Sequence, residues 1–346
     1  MIAMRIVVVL FLSVCFLSCS DDSKSPDVSK IKVELPVERF DRDLFSLDTF
    51  EIEKGLRSLE LKYPSLFPIF IHNILGLNDS IIDEGLAVFI RQNYFIAEAS
   101  HKEFENFNDI RNDFEKSFRY VKYYFPGYKV PKLITIVGPP DALAQTTGGE
   151  PTPNFIGPDF LGISLQFYLG KDFPLYHDDY FIANIAPEFR SRRFDKEYIV
   201  ADAMKLVADD VYPDKSAGKG LIEQIIEKGK QWWLLDKFLP ATPDSIKTGY
   251  TKQQLSWCKE NEGLIWNDII TTQKDLYTKD PGVLQNFIGD APFTQSMGAG
   301  SPGNIGQWVG WQIVEKFAGK NSSVSVPDVL NTNAKKILQE AKYKPK

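Results

Sequence analysis

Histidine and cysteine are scarce in this chain, with three of each among 346 residues. The histidines, His72, His101 and His177, stand alone, and none forms the His-x-x-x-His or His-x-His pairs typical of metal sites. No Gly-x-Ser-x-Gly sequence occurs, so the nucleophile elbow of serine hydrolases is missing. The sequence therefore predicts no metal ligands and no catalytic residues.

Basic residues form no stripe along the chain, which excludes the electrostatic surface of a nucleic-acid-binding protein. The full chain has 40 basic and 46 acidic residues, a net charge of −6. Its hydrophobic fraction of 43% is that of a folded protein with a substantial core.

Long apolar runs are also missing, since the longest extends only from Ile6 to Leu17. A transmembrane helix needs about 20 such residues. A short run behind a positive residue, here Arg5, is typical of a secretory signal peptide. A small residue before cysteine, Ser18-Cys19, resembles the lipobox of bacterial lipoproteins. We therefore predict a signal peptide over residues 1–18 and cleavage before Cys19.

The predicted cleavage makes Cys19 the first residue of the mature protein and the site of lipidation. Bacterial lipoproteins carry a diacylglycerol there, and an N-acyl chain on the new amino terminus. Two or more acyl chains hold a protein stably on a membrane. The polar residues 19–30 predict a flexible tether, and we expect the outer membrane, on its periplasmic or surface face. Cys258 is then the only remaining thiol, so no internal disulfide is possible, and we expect it to be buried.

Hydrophobic periodicity predicts a mostly helical α+β fold, with one domain over residues 31–346 and a small sheet. The predicted strands are Ile31–Leu35, Lys132–Val137 and Phe160–Leu169, and residues 142–158 are predicted to form a loop. A capping box at Thr251 and Gln254 begins one helix. The predicted helices are Leu47–Leu61, Tyr63–Leu75, Ser80–Ile96, Glu103–Phe125, Asp179–Arg193, Lys196–Val211, Leu221–Leu239, Thr251–Tyr277, Asn304–Phe317 and Thr332–Lys342.

The segment Gly298–Gly303 matches the spacing G-x-G-x-x-G, but its context argues against a dinucleotide site. Such a site follows a strand, whereas the preceding residues are not strand-like. Pro302 also lacks the backbone N–H that a phosphate cradle needs. A loop leading into the helix from Asn304 is the favoured interpretation.

Charged residues are dense between Pro187 and Asp210, and they suggest a binding groove. Along one helix, polar residues from Tyr198 to Asp209 recur at spacings of four, three and four, which places them on one face. This face is either an ordinary solvated stripe or the floor of a pocket opposite the strand from Ile163. The candidate groove consists of Ile163, Leu165, Glu188, Arg190, Tyr198, Asp202 and Lys205.

Three segments together resemble the gliding motility lipoprotein GldB family of Bacteroidota. They are Phe160–Tyr176, Glu197–Met204 and the pair Phe287–Phe293 with Ser301–Val314, and Val37–Phe45 adds to them. The resemblance implies a cell-envelope protein that supports gliding motility and type IX protein secretion, with the small protein GldC as its partner.

The family is also similar to zincin-like metallopeptidases, which implies a peptidase-like scaffold. The helix Tyr198–Val211 would match their metal-binding helix, yet it contains no histidine. A lone Asp202 cannot hold a catalytic zinc ion. The resemblance therefore implies a pseudoenzyme without a cofactor, apart from the covalent lipid on Cys19.

Two alternatives remain open at the level of sequence. One is an active hydrolase whose ligands, His177, Glu188 and Asp202, are brought together by folding. The other is a small-ligand-binding lipoprotein that uses its tryptophans, although their spacing is more typical of a core; these are Trp232, Trp233, Trp308 and Trp311.

Overall fold

A computed structural model describes residues 25–145, 151–272 and 275–346 and contains a small sheet among many helices. The predicted signal peptide and Cys19 lie outside the described residues. Of the predicted tether, residues 25–30 are described, and Val28 is buried there. The strands are β1 (Val37–Arg39), β2 (Lys132–Ile136), β3 (Ala144–Gln145), β4 (Pro151–Thr152), β5 (Phe155–Ile156) and β6 (Phe160–Ser164).

The main sheet has the strand order β1-β2-β6-β5. Strands β1, β2 and β6 run parallel, and β5 pairs antiparallel with β6. All five residues of β6 are buried, as are four of the five in β2. Strands covered on both faces have continuous apolar runs, which explains why β2 and β6 stand out in the sequence. Strands β3 and β4 form a separate pair.

Helices account for most of the described chain. Two π-helical turns, Ile69–Ile74 and Asp268–Thr272, accompany them, as do four 3₁₀ turns. The helices are α1 (Phe40–Phe45), α2 (Ile52–Lys62), α3 (Ile82–Glu103), α4 (Asn108–Tyr124), α5 (Asp179–Asn184), α6 (Glu188–Ser191), α7 (Ile199–Val211), α8 (Leu221–Phe238), α9 (Asp244–Thr248), α10 (Lys252–Glu260), α11 (Glu262–Asn267), α12 (Pro281–Ile288), α13 (Ile305–Lys320), α14 (Val326–Asn331) and α15 (Ala334–Ala341).

Helix α8 is the central helix of the carboxyl-terminal half, because 13 of its 18 residues are buried. It packs closely against α13, where Gly229 faces Gly310. A Cβ atom on Gly310 would lie 1.8 Å from the carbonyl oxygen of Ile225, so the two backbones approach closely only because both residues are glycine.

Nearly all of the buried apolar side chains of the described residues form one continuous cluster, from Leu35 to Tyr343. The cluster joins the sheet, the amino-terminal helices and the α8–α13 layer. The predicted fold class is thus confirmed: the protein is a mostly helical α+β domain with a small sheet.

The predicted strand Ile31–Leu35 is wrong, although its alternating pattern is real. Leu35 is buried and Ile31 and Val33 are half-buried, whereas the charged residues between them are exposed. The segment has no ladder partner among the described residues, however, and pairing with β2 begins only where the carbonyl of Pro36 accepts the N–H of Leu133. An alternating pattern reports which side of an extended segment is buried, and it does not report hydrogen bonding to a neighbour.

Three long predicted elements are broken in the structure, and one of them, the helix Thr251–Tyr277, is divided into α10, α11 and the second π-helical turn. The predicted helix Asp179–Arg193 is divided into α5 and α6, because Pro187 lacks a backbone N–H and has the extended ψ of 157°. The predicted strand Phe160–Leu169 ends at Ser164 and continues as a 3₁₀ turn over Leu165–Phe167.

Local signals at helix ends agree with the structure in one case and were missed in two others. The capping box of α10 is confirmed. The Thr251 hydroxyl accepts the backbone N–H of Gln254, and the side-chain oxygen of Gln254 accepts the backbone N–H of Thr251. Helices α12 and α14 were not predicted. Each begins with proline in its first turn and a capping side chain, Asp280 or Ser325, so the signal was present in a short segment.

Candidate functional site

A cleft of about 180 Å³ opens between α7, α8 and the segment that leads into α13. Its lining includes four cations and four carboxylates, so we call it the charged cleft. Trp232 and the side-chain amides of Gln231, Asn304 and Gln307 also line it, beside several apolar residues. The charged residues are Arg190, Arg193, Asp202, Lys205, Asp209, Asp214, Lys228 and Asp290.

Three ion pairs organise these charges. Lys205 Nζ lies 3.0 Å from Asp202 Oδ1, one turn away on α7. Lys228 Nζ of α8 lies 3.2 Å from Asp214 Oδ2, and Arg190 pairs with Asp290 across 100 residues of sequence. All six side chains are at most a quarter exposed, so solvent screens these pairs less than it would on an open surface.

The carboxylate of Asp202 is also held from the protein interior. The hydroxyl of Tyr168 donates to Asp202 Oδ2 at 3.4 Å and accepts from Asn154 Nδ2 at 2.7 Å. Asn154 in turn accepts the backbone N–H of Ser164 at the end of β6. Burial, followed by the charge of Asp202, raises the pKa of Tyr168 well above its usual value, so the phenol stays protonated and remains a donor.

Asn304 contributes the one strained backbone position of the cleft, with φ of 53° in the left-handed region. The hydroxyl of Tyr250 contacts the carbonyl oxygens of both Gly303 and Asn304 and so holds this turn. Asn304 Nδ2 donates to Gln307, whereas its buried Oδ1 has no hydrogen-bond partner among the described residues.

Of the predicted groove residues, Arg190, Asp202 and Lys205 line the charged cleft. Glu188 is exposed and lies outside the lining. Tyr198 is only 8% exposed, so the predicted polar face of α7 is buried at its amino-terminal end.

The groove prediction is wrong at Ile163 and Leu165, which are completely buried. Strand β6 is an inner strand between β2 and β5. Past the two residues of β6 that pair with β5, the side-chain oxygen of Asn154 accepts the Ser164 N–H. Because these residues offer no open edge, strand addition at this point is not available.

The carboxyl-terminal half supplies the part of the cleft that the groove prediction missed. Lys228 and Trp232 lie one turn apart on α8, and Gln307 lies on α13. The sequence did show Trp232 as one of four tryptophans whose spacing favoured core positions. All four are buried, as that interpretation predicts; they are Trp232, Trp233, Trp308 and Trp311.

The structure does not bring together the alternative ligand set of His177, Glu188 and Asp202. His177 is exposed and its Nε2 contacts the carbonyl of Lys171. Within the described ranges, no group of three His, Cys, Asp or Glu side chains could hold a metal ion. Cys258 is completely buried, as predicted, and burial raises the pKa of its thiol to about 12.

Fold and site together define a mostly helical α+β protein with a cleft that carries balanced charge. Its family is shown by the family model described as gliding motility protein GldB, which matches residues 21–345, so the chain belongs to this family. No curated protein and no solved structure matches the chain. The predicted resemblance is confirmed.

Family membership carries a role in gliding motility, and the family's label marks its members as lipoproteins, which implies membrane anchoring. In the part of the chain that the structure describes, every helix is too short or too polar to cross a bilayer. Lipidation of Cys19 itself stays a prediction, because that residue lies outside the described and the matched ranges.

Proposed function

We propose that the protein is a non-catalytic envelope lipoprotein that supports gliding motility and type IX secretion by binding a protein partner in the charged cleft. The partner implied by the family resemblance is GldC. Lipid on Cys19 would hold the domain on the outer membrane, at its periplasmic or surface face, and the cleft would face the partner.

The observation that carries this proposal is the fixed pattern of donors and acceptors in the cleft. Lys205 uses one of its three N–H donors on Asp202, and the cleft carboxylates offer acceptors. A polypeptide carries both donors and acceptors, so it can pair with both kinds of group. Trp232 also lines the cleft but is only 8% exposed, so the charged groups carry the proposed recognition.

The contacts of Asp202 fit a positioning role. Its Oδ2 accepts from the Tyr168 hydroxyl and its Oδ1 accepts from Lys205 Nζ. Because Tyr168 holds the carboxylate from the interior and the carboxylate holds Lys205, we assign Asp202 the role of positioning Lys205 in the recognition surface of a pseudoenzyme.

The test reverses one charge of the cleft. Lys205→Glu in the full-length protein, held in phosphatidylcholine nanodiscs, should weaken binding of purified GldC at least about tenfold, because it removes a donor and repels the same partner group. Lys252→Glu, an exposed charge reversal on α10 outside the cleft, is the matched control and should bind normally.

Gliding of cells that carry each variant gives a second measurement. We expect spreading to be lost with Lys205→Glu and kept with Lys252→Glu, at equal protein levels. Normal GldC binding and normal gliding with Lys205→Glu would show that the charged cleft does not bind the partner. Stoichiometric zinc in the purified protein, together with peptidase activity, would contradict the non-catalytic role.

A further inference from the structure

A second concave surface lies between the π-helical turn Ile69–Ile74, α3, the loop after β2, and α5. Its volume is about 560 Å³, and it shares no lining residue with the charged cleft. We call it the apolar pocket and define it by six apolar residues: Ile74, Leu77, Val88, Pro140, Leu175 and Ile185.

These six side chains are all half-buried, so each presents apolar surface to the open pocket. Tyr180 stands at the rim with 70% of its surface exposed. Contiguous apolar surface with an exposed aromatic at its rim is typical of a protein interaction site. The volume also falls in the range of roughly 300–1,000 Å³ seen for binding pockets.

The charge around the apolar pocket is of one sign. Three of the segments that line it, residues 74–85, 139–141 and 175–185, contain no lysine or arginine. On α3 the residues that line the pocket are spaced as one helical face, and Arg91 lies outside that face. The same three segments contain six carboxylates: Asp79, Asp83, Glu84, Asp141, Asp178 and Asp179.

We propose that the apolar pocket docks a segment of a partner protein in which a large apolar side chain is flanked by lysine or arginine. The apolar side chain would fill the space lined by Val88 and Ile185, and its basic neighbours would lie against Asp141 and Asp178 at the rim. Complementary charge favours such a segment. The same acidic rim repels an anionic lipid surface, which argues against the bilayer as the occupant.

Two synthetic peptides of matched length test this inference, acetyl-Lys-Leu-Phe-Leu-Lys-amide and acetyl-Glu-Leu-Phe-Leu-Glu-amide. Each is titrated against the full-length protein in phosphatidylcholine nanodiscs, and binding is followed by fluorescence anisotropy. We expect the basic peptide to bind at least about fivefold tighter, because two rim charge interactions change from repulsion to attraction.

Two variants tie the binding to this pocket. Val88→Trp fills the cavity and should lower the affinity for the basic peptide at least about tenfold, as loss of an apolar anchor does. Asp141→Lys should reduce the preference for the basic peptide, whereas Glu60→Lys, a reversal at an exposed residue of α2, should leave it unchanged. Circular dichroism and thermal unfolding of each variant separate loss of binding from loss of fold.

Several outcomes would overturn the proposal. Among them are equal binding of both peptides, or unchanged binding by Val88→Trp. Self-association of the protein that Val88→Trp abolishes would assign the pocket to a second copy of the chain. Binding to phosphatidylglycerol vesicles that the same substitution abolishes would assign it to a membrane.

Discussion

The charged cleft and the apolar pocket are both concave surfaces, but they differ in how their lining side chains are paired and exposed. In the cleft, three ion pairs and a buried hydrogen-bond chain fix the side chains against one another. In the pocket, half-buried aliphatic side chains face solvent and the lining charges are only carboxylates. The cleft is therefore shaped in advance by its ion pairs, whereas the pocket leaves apolar area and negative charge for a partner to cover.

The two surfaces also differ in what supports them. The charged cleft is bordered by α8 and α13, whose closest approach is the contact between Gly229 and Gly310. The apolar pocket is bordered by α3, α5 and connecting segments, none of which includes that contact. Changes to the α8–α13 contact should consequently separate the two surfaces.

The largest effect is expected from Gly310→Ala. Its Cβ would lie 1.8 Å from the Ile225 carbonyl oxygen, so the helices must move apart, at a cost of about 2 kcal/mol or more in the free energy of unfolding. Thermal or urea unfolding measures this loss. At temperatures where the variant is folded, GldC binding should fall while binding of the basic peptide to the apolar pocket is kept.

Gly319→Ala is the matched control for this substitution. Gly319 is an exposed residue of the same helix, and a Cβ atom added to it would have no other atom within 4 Å among the described residues. Alanine there should leave stability unchanged or raise it slightly, because it has the higher helix propensity. Equal stability of the two alanine variants would mean that the close contact does not support the cleft.

A smaller effect is expected from Tyr168→Phe, which leaves the side chain in place and removes its hydroxyl. Buried Asn154 then loses an acceptor and Asp202 loses a donor, which should cost about 1–2 kcal/mol in the free energy of unfolding. Tyr180→Phe at the rim of the apolar pocket is the control. Its exposed hydroxyl makes no protein hydrogen bond within the described ranges, so we expect no change in stability.

The affinity for GldC provides a second measurement on Tyr168→Phe. Because Tyr168 positions Asp202 and Asp202 positions Lys205, Tyr168→Phe should also weaken GldC binding, while Tyr180→Phe should not. If Tyr168→Phe unfolds at the wild-type temperature and binds GldC with unchanged affinity, the hydrogen bonds of the Tyr168 hydroxyl have no part in shaping the cleft.

The sequence predicted those features that depend on neighbouring residues. Strand β2 appears as an apolar, β-branched run, and the capping box of α10 needs only residues three positions apart. On α7, helical spacing placed Asp202 and Lys205 on one face, and both do line the cleft. Patterns of this type depend only on residues that are close together in the sequence, so the sequence alone predicts them.

Features that depend on distant residues could not be predicted in this way. Arg190 and Asp290 are 100 positions apart, and Gly229 meets Gly310 only because α8 and α13 cross there. The pattern of β6 identified a strand but not its place inside the sheet, which is why Ile163 and Leu165 were wrongly assigned to an open groove. Sheet order and helix crossing are set by the whole core, and periodicity reports only which side of each element is buried.

The smallest effect is expected when the salt concentration is raised. This change distinguishes the ion pairs of the charged cleft from the carboxylates at the rim of the apolar pocket. Raising the ionic strength from about 0.1 M to about 1 M shortens the screening length from roughly 10 Å to roughly 3 Å. The rim carboxylates of the apolar pocket are open to solvent, so the basic peptide should lose a few-fold in affinity, as expected for exposed pairs worth about 0.2–1 kcal/mol.

The ion pairs of the charged cleft join atoms about 3 Å apart and are largely shielded, so the same change should barely alter the unfolding temperature. The acidic peptide provides the control for the pocket, because screening should strengthen its binding, and the two affinities should converge at high salt. If both peptides instead weakened together, the rim charges would not be selecting the partner, and the pocket would recognise apolar surface alone.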